Sequence, residues 1–425
     1  MAENLFLMEK GQLKRYYLLS QIKKWLIKIL DRLIKISDED FSVNQPFYLK
    51  ITKYFLFVLS TIYGAVVSLR LWLYEKDIFK RKKVPCFVIS IGNIIAGGSG
   101  KTPMAIYMAE LLKSMGFNPV VISRGYGGDL NKREVKTDDS NMAIAGSAIS
   151  VVVGDGINLF ELPEAVGDEP FMMASRLSFA VIVGKDRFEA AMMALNRLKN
   201  IDVIILDDGF QHIQLKRDLD IVLMDYNRPF GNGHLLPVGR LRESPKRALE
   251  RADVVIFTRY PDDDLKNFDI SHLKKVANCQ GKVKKSFVTK HRPFLHSFIS
   301  QNRASSIKIE SLKGRKGCLF SAIADNLSFR KTAQNLGISV KAHLEFNDHH
   351  MYKSGEILRI VETYRKTGAN LMVTTEKDWA RLGCATFQFL NNLWSMDLAV
   401  IGIEIDFLNS SDDFKEFISN LLLNK

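Results

Sequence analysis

The chain has 425 residues, which is long enough for two or three domains that each bury a core. With 47 % hydrophobic and 25 % charged residues and a mean hydropathy of −0.03, it is not a disordered chain, a collagen, a disulfide-stapled miniprotein or a polytopic membrane protein. The formal net charge is +13, and residues 1–83 contain 16 Lys and Arg against 8 Asp and Glu. A basic excess concentrated at one end favours an anionic membrane surface over a nucleic-acid interface, so we expect no nucleic-acid partner.

The first predicted element is a basic amphipathic helix over Leu13–Ile36. Apolar residues recur there at helical spacing, and lysines and arginines fall largely on the remaining face. This pattern is typical of a helix that lies in a membrane interface, and the alternative is a helix packed on protein. We treat residues 1–46 as a basic N-terminal extension.

The second predicted element is an apolar helix over residues 54–74. Tyr54–Leu69 contains 16 residues without a charge, and Arg70 separates this run from Leu71–Tyr74. A clean membrane span needs about 20 apolar residues, so a helix sunk into one leaflet fits better than a bilayer span. The cluster Lys80–Lys83 would lie against anionic headgroups. Residues 47–83 are therefore predicted to be a membrane-associated helix with a basic linker.

A phosphate-binding loop is predicted after the first strand, Val84–Ile91. The loop consists of Gly97, Gly98, Ser99, Gly100, Lys101 and Thr102. A helical pattern follows from Pro103 to about Met115. Glycines let backbone N–H groups approach phosphate oxygens, and the helix N-terminus adds partial positive charge. Lys101 would reach the terminal phosphates of ATP, and the Thr102 hydroxyl would ligate Mg²⁺.

The loop departs from the strict motif at one position. The pattern G-x-x-x-x-G-K-[ST] requires glycine where this chain has Ile95, and the nearest upstream glycine is Gly92. The alternative at this point is a glycine-rich turn that binds no nucleotide.

Alternating strands and helices continue along the chain and predict an α/β fold with a mostly parallel sheet. The predicted strands are Pro119–Ser123, Phe179–Val183, Ile201–Leu206, Leu219–Met224 and Ala252–Phe257. Ligands bind beyond the carboxyl ends of strands in such sheets.

Polar residues follow two of these strands. Asp207 and Asp208 come after Ile201–Leu206, where carboxylates of phosphate-loop enzymes hold Mg²⁺, although two aspartates after a strand also occur in ordinary turns. Arg124 and Tyr126 lie in the glycine-rich loop after Pro119–Ser123, where a substrate role competes with a simple glycine turn. Further candidates for substrate contact follow the two aspartates: Gln211 and His212.

These motifs, in this order, resemble the tetraacyldisaccharide 4′-kinases, the lipid A 4′-kinases of Gram-negative bacteria. The resemblance covers roughly Phe47 to the C-terminus. The matching stretches are Val88–Pro103, Ser123–Gly128, Gly167–Pro170, Asp207–His212, Phe230–Glu243, Ala252–Thr258, Ser321–Phe329, Asn347–His350 and Thr374–Asp378.

The resemblance implies a P-loop NTPase-like α/β domain and a second, smaller α/β domain. A composition shift at Asp262–Asp264 and the lysine-rich stretch Lys274–Lys285 places the boundary near residue 285, so the domains are predicted at residues 84–285 and 286–425. The resemblance further implies transfer of the γ-phosphoryl group of ATP, with Mg²⁺, to the 4′-hydroxyl of an acylated disaccharide 1-phosphate. Because that lipid stays in the membrane, we expect the enzyme at the cytoplasmic face of the bacterial inner membrane.

The resemblance also implies the roles of individual residues. Asp168 matches the general base and His349 the histidine that pairs with it, with His350 as an adjacent competitor. Lys101 and Arg242 would face the transferred phosphate. The implied magnesium site is formed by Thr102, Asp207, Asp208 and Glu243.

Two other functions remain open from the residues alone. A MinD-like, membrane-docked ATPase switch shares the loop, but such proteins carry a lysine before the glycine pair, where this chain has Ala96. The second alternative is a non-enzymatic membrane scaffold. For Glu376–Asp378, at the end of the predicted strand Leu371–Thr375, nucleotide contact and a helix cap are equally compatible with the sequence.

Overall fold

The computed structural model of the chain describes residues 47–128, 142–145, 148–261, 285–300, 303–382, 396–408 and 411–423. The predicted amphipathic helix at Leu13–Ile36 lies outside them. The chain divides into two compact units. We call one the helical unit: its described residues are 47–78, Ile94–Ala96 and Arg228–Ala248. The other is the sheet unit, formed by the described residues within Phe79–Asn93, Gly97–Asn227 and Leu249–Lys425.

The described residues form fourteen strands in one mixed sheet. The strands are β1 Phe87–Asn93, β2 Pro119–Ser123, β3 Met142–Ala145, β4 Ala148–Asp155, β5 Ala180–Gly184, β6 Val203–Asp207, β7 Leu219–Asp225, β8 Val254–Thr258, β9 Lys285–Ser300, β10 Arg303–Ser305, β11 Lys316–Ser321, β12 Ser339–Glu345, β13 Leu371–Thr375 and β14 Leu398–Phe407.

The strand order is β12-β11-β13-β14-β9-β8-β7-β1-β6-β2-β5-β4-β3, and β10 pairs with β9. Neighbours from β9 to β5 are parallel, as are those from β12 to β14, whereas β14–β9, β5–β4, β4–β3 and β10–β9 are antiparallel. Every residue of β1, β2, β5, β6 and β8 is buried, as expected for parallel strands covered on both faces. The predicted α/β fold class is confirmed.

Ten helices accompany these strands in the described part of the chain. They are α1 Phe47–Glu75, α2 Lys101–Ser114, α3 Pro163–Val166, α4 Asp168–Ala174, α5 Arg187–Arg197, α6 Pro245–Arg251, α7 Asn326–Asn335, α8 Ser354–Lys366, α9 Glu376–Leu382 and α10 Ser411–Leu423. A short 3₁₀ helix covers Ile309–Leu312.

The long strand β9 joins the two halves of the sheet. Its first residues, Lys285–Val288, pair in parallel with β8, and the segment from Thr289 to Ile299 pairs antiparallel with β14. The predicted boundary near residue 285 falls at the first residue of this strand, and the division into domains at 84–285 and 286–425 stays a prediction.

The helical unit contains α1, Ile94–Ala96 and the segment Arg228–Ala248, and hydrogen bonds connect α1 to that segment. The Ser60 hydroxyl donates to the carbonyl oxygen of Leu235 at 2.9 Å, and Arg247 Nη1 donates to that of Ser68 at 2.8 Å. Residues Ile51–Glu75 of α1 are long and apolar enough to cross a membrane, and only 17 % of the most apolar stretch is buried. The helix is thus longer than the predicted segment 54–74.

Candidate active site

The predicted phosphate loop lies between β1 and α2. Gly97 and Gly100 have φ angles of 131° and 82°, which glycine adopts without steric cost. No side chain caps the first turn of α2, so its N–H groups are available to phosphate oxygens. Asn93, the last residue of β1, braces the loop, since its amide donates to Ser99 Oγ at 2.8 Å and to the Gly97 carbonyl at 3.3 Å.

The structure explains why the loop has Ile95 where the strict phosphate-loop motif has glycine. Ile95 forms an antiparallel bridge with Leu241. On either side, the Ala96 N–H donates to the carbonyl of Arg240 at 2.7 Å, and the Arg242 N–H donates to that of Ile94 at 2.8 Å. A residue held in a bridge of this kind is extended, so no glycine is required there.

The predicted residues Lys101, Asp207 and Asp208 meet beside this loop. Lys101 Nζ lies 3.3 Å from the Gly97 carbonyl oxygen, to which it donates, and 3.7 Å from Asp208 Oδ1. The backbone of Asp208 has a φ angle of 53°, in the left-handed region that residues other than glycine rarely adopt. Such a conformation persists only where the surrounding structure stabilises it. Burial, together with the charges of Glu169 and Asp208, raises the pKa of Asp207.

Asp207, Asp208 and Thr102 offer oxygen atoms that suit Mg²⁺. Asp207 Oδ1 is buried and has no hydrogen-bond partner among the described residues, while Oδ2 lies 3.5 Å from the Ser123 hydroxyl. A buried carboxylate oxygen left this way fits a cation ligand. No set of three or more His, Cys, Asp or Glu side chains in the described ranges forms a metal cage, and Mg²⁺ ordinarily takes one or two carboxylates plus phosphate and water.

Thr102 is linked to the C-terminal half of the sheet unit through Glu169. The Thr102 hydroxyl donates to Glu169 Oε2 at 3.1 Å, and Lys377 Nζ forms an ion pair with Glu169 Oε1. Burial alone would raise the pKa of Glu169, but the adjacent Lys377 lowers it. Glu169 is therefore an ionised carboxylate beside the phosphate loop.

Asp168, the preceding residue of α4, is held by Arg381 and His349. Arg381 donates to Asp168 Oδ2 from Nη2 at 2.5 Å and from Nε at 2.8 Å, and His349 Nδ1 lies 3.3 Å from the same oxygen. Burial opposes ionisation, but the His349 hydrogen bond and the Arg381 charge hold the pKa of Asp168 well below its usual range. The same hydrogen bond raises the pKa of His349. The backbone of His349 also lies in the left-handed region, with a φ angle of 58°, and therefore needs the surrounding structure to stabilise it.

The neighbouring His350 has a different environment. Its Nε2 lies 2.8 Å from Glu356 Oε2, and its ring stacks on Phe346 with centroids 5.2 Å apart. The structure thus brings His349 to Asp168 and gives His350 partners of its own.

The glycine-rich loop with Arg124 and Tyr126 packs against the turn that precedes Asp168. A Cβ atom on Gly128 would lie 2.5 Å from the carbonyl carbon of Val166, and one on Gly167 would lie 2.5 Å from the Tyr126 carbonyl oxygen. Arg124 and Tyr126 are exposed, and the Tyr126 ring centroid lies 5.4 Å from that of His349. Tyr126 is therefore next to the Asp168–His349 pair.

The other predicted site residues are more dispersed. Gln211 Nε2 donates to the Asn93 carbonyl at 2.7 Å, and the His212 N–H donates to the Gly209 carbonyl at 2.9 Å. Arg242 and Glu243 belong to the helical unit, where the Tyr63 hydroxyl donates to the Arg242 carbonyl at 2.9 Å and Glu243 is buried. Their predicted roles stay predictions.

The sequence motifs do not single out Glu169 or Arg381 for a role in this site, and they include Lys377 only within Glu376–Asp378, for which nucleotide contact and a helix cap are both open. Glu169 lies in the acidic motif Gly167–Pro170, next to the candidate base Asp168. Lys377 and Arg381 are four residues apart and so share one face of α9. That spacing was the available signal, but it does not indicate which carboxylates the two cations meet.

Comparisons with known proteins identify the family of the chain. The family described as tetraacyldisaccharide-1-P 4'-kinase matches residues 52–423. A tetraacyldisaccharide 4'-kinase of Syntrophus aciditrophicus is 38 % identical over 76 % of this chain and 83 % of its own length. One of Desulfatibacillum aliphaticivorans is 37 % identical over 86 % and 91 %.

A solved structure is also similar. It is LpxK from Aquifex aeolicus, crystallised as an "apo" form in complex with ATP, with a TM-score of 0.62 and 29 % identity. The match covers 87 % of this chain and 99 % of that one. On these matches, the chain is an enzyme and belongs to the tetraacyldisaccharide-1-P 4'-kinase family.

Proposed function

We propose that this kinase transfers the γ-phosphoryl group of ATP to the 4′-hydroxyl of a tetraacyldisaccharide 1-phosphate in lipid A biosynthesis, with Asp168 as the general base. The observation that carries the proposal is the placement of two adjacent residues of α4. Glu169 binds the phosphate-loop residue Thr102, and Asp168 faces His349. A base beside the phosphate loop is what phosphoryl transfer to an alcohol requires.

The reaction forms one bond and breaks one. The sugar oxygen attacks the γ-phosphorus, the bond from that phosphorus to the β–γ bridging oxygen breaks, and ADP leaves. The hydroxyl proton moves to the Asp168 carboxylate. Because the pKa of Asp168 is low, the transfer is favourable only as the new oxygen–phosphorus bond forms and makes that proton acidic.

Arg381 and His349 prepare Asp168 for this step. Both contact Oδ2, so they fix the orientation of the carboxylate and keep it ionised. Lys101 is proposed to bind the terminal phosphates of ATP, and Arg242 is proposed to face the transferred phosphoryl group. Positioned positive charge of this kind stabilises the charge that develops in the transition state.

Magnesium would be held by Thr102, Asp207 and Asp208, with Glu243 as a further proposed ligand. When bound, the ion neutralises charge on the phosphates of ATP. The unpartnered Asp207 oxygen supports this assignment. Arg124, Tyr126, Gln211 and His212 are proposed to contact the disaccharide lipid, and Tyr126 is supported by its place beside His349.

We further propose that α1 brings the enzyme to an acylated substrate at the cytoplasmic face of the inner membrane. Many large apolar side chains of α1 are exposed, which soluble packing does not explain. The basic cluster Lys80–Lys83 and the charge of residues 1–83 suit anionic headgroups.

A direct assay tests the function. Purified enzyme, γ-labelled ATP and tetraacyldisaccharide 1-phosphate in detergent should place label on the lipid, and label that stays on ATP or appears only as inorganic phosphate would contradict the proposal. Asp168→Asn should lower kcat about 10²–10⁴-fold and change ATP affinity less than about twofold. The control is Asp412→Asn, an exposed residue in the first turn of α10 whose loss should leave kcat unchanged.

A further inference from the structure

His291 lies within β9, at a level just beyond the carboxyl end of the parallel strand β8, where ligands bind in such sheets. The register of β8 with β9 ends at the pair Phe257 and Val288. Thr289 Oγ1 then donates to the Phe257 carbonyl at 3.0 Å, and the Tyr260 N–H donates to the Thr289 carbonyl at 3.1 Å. His291 follows two residues later, past the carboxyl end of β8.

This histidine also packs on the phosphate loop. A Cβ atom built on Gly100 would lie 2.7 Å from His291 Nε2, so the imidazole closely approaches the residue that precedes Lys101. From the neighbouring strand, the Thr258 hydroxyl donates to the Ser99 carbonyl at 3.3 Å. The end of β8 and the segment of β9 around His291 therefore form one wall beside the loop.

One ring nitrogen of His291 has no hydrogen-bond partner among the described residues. This nitrogen is Nε2, and it is buried. Burial and the nearby Arg259 lower the pKa of His291 to about 4, so the ring is neutral at physiological pH and can donate or accept one hydrogen bond at Nε2. A buried polar atom without a partner is rare in folded proteins and calls for an explanation such as a ligand.

The strand order indicates which part of a nucleotide lies near this wall. The phosphate loop follows β1, whose neighbours are β6 on one side and β7, β8 and β9 in succession on the other. Asp207 and Asp208 at the end of β6 mark the side of the terminal phosphate. The nucleoside end of a nucleotide bound across the loop then extends toward β7–β9.

We propose that His291 Nε2 forms a hydrogen bond with the nucleoside part of the bound nucleotide, either a ribose hydroxyl or the adenine edge. This inference rests on the proposed function in one respect, that the loop at Gly97–Thr102 binds ATP. It makes His291 a determinant of nucleotide affinity that acts away from the reacting phosphorus.

The test compares ATP with inorganic tripolyphosphate, which has the phosphates and no nucleoside. In the full chain, His291→Ala should weaken ATP binding about tenfold in titration calorimetry and leave tripolyphosphate binding within twofold. His291→Gln, which keeps a hydrogen-bonding group, should lose less than threefold. Equal losses for both ligands would indicate a structural role for His291 in the loop, and no loss for ATP would also overturn the proposal.

Nucleotide analogues locate the contact on the nucleoside. 2′-Deoxy-ATP, 3′-deoxy-ATP and GTP are titrated into the wild type and into His291→Ala. The tenfold penalty of the variant should vanish for the analogue that lacks the bonded group, and a penalty retained for all three would contradict a nucleoside contact. If His291→Ala does not fold, His291→Leu, which fills the volume of the imidazole without a hydrogen-bonding group, is titrated with the same series in its place.

Two controls separate this inference from the proposed function. Arg292→Ala changes the adjacent residue of β9, whose side chain is 66 % exposed, and should leave both affinities within twofold. In the labelled-lipid assay His291→Ala should raise the KM for ATP and keep kcat. Wild-type enzyme that binds ATP through His291 and labels no lipid would overturn the proposed function alone.

Discussion

Arg381 donates two hydrogen bonds to one oxygen of Asp168 although 213 positions separate the two residues in the chain. Both side chains are buried, and Arg381 also donates to Asp378 Oδ1 at 3.0 Å and to the Ala322 carbonyl. The C-terminal half of the sheet unit thus fixes the carboxylate proposed as the base. The planar fork of arginine makes this arrangement possible, and a lysine does not reproduce it.

Replacing Arg381 should therefore destabilise the enzyme. Arg381→Met leaves Asp168 and Asp378 buried without their shared cation, and such a change costs about 3–5 kcal/mol of unfolding free energy. Urea denaturation measures the loss. Arg359→Met, on the exposed face of α8, should change stability by less than about 0.5 kcal/mol. If Arg381→Met lowers the unfolding free energy no more than Arg359→Met does, the contacts of Arg381 with Asp168 and Asp378 do not stabilise the fold.

The pH dependence of stability should report the Asp168–His349 pair. The hydrogen bond to Asp168 raises the pKa of His349 above its unfolded value of about 6.5. The stabilisation is therefore fully present below that value and is lost as pH rises through the folded pKa. Wild-type unfolding free energy should fall from about pH 6.5 upward, and His349→Gln should flatten this slope. An unchanged slope, measured by urea denaturation at several pH values, would contradict the pairing.

A methyl group at Gly128 should disturb the loop that carries Tyr126. The added Cβ would lie 2.5–2.6 Å from backbone atoms of Ala165, Val166 and Gly167, and backbone does not yield as a flexible side chain does. Gly128→Ala should cost about 1–3 kcal/mol, as overpacked sites do, and raise the KM for the lipid. Gly355→Ala on α8, where nothing lies within 4 Å, is the matched control. Equal stability of the two variants would refute the close packing.

Membrane binding should depend on the exposed face of α1. Ile62 and Val66 are 55 % and 60 % exposed and lie one helical turn apart. Burial of one such side chain is worth about 1.5–3 kcal/mol, so Ile62→Glu with Val66→Glu should weaken co-sedimentation with phosphatidylglycerol vesicles at least tenfold. Leu358→Glu, at an exposed apolar residue of α8, should bind as the wild type does. Undiminished binding of the double variant would exclude this face as the membrane contact.

Much of the fold and part of the site could be predicted before any contact was known. Strands β2 and β13 have the predicted bounds, and α2 begins two residues before Pro103. Buried parallel strands appear in sequence as apolar runs between glycines and prolines, because both faces are covered. The Asp168 and Lys101 motifs were also visible, since each lies in a short local pattern.

Long-range pairing could not be predicted. The long strand β9 pairs in parallel with β8 and then antiparallel with β14, and no local pattern specifies that change of partner. The same holds for the partners of Lys377 and Arg381. Spacing places both cations on one face of α9, but Glu169 and Asp168 come from a helix more than 200 positions earlier.

The sequence by itself determined the class of fold, the phosphate loop and the family resemblance, because apolar periodicity, glycine conformation and short motifs act over a few neighbouring residues. Only the tertiary structure decided that His349 rather than His350 meets Asp168, that Arg381 holds the same oxygen, and that His291 approaches Gly100. Those contacts arise when distant segments pack into one sheet. Their geometry depends on strand order and helix position, which no single segment of the chain contains.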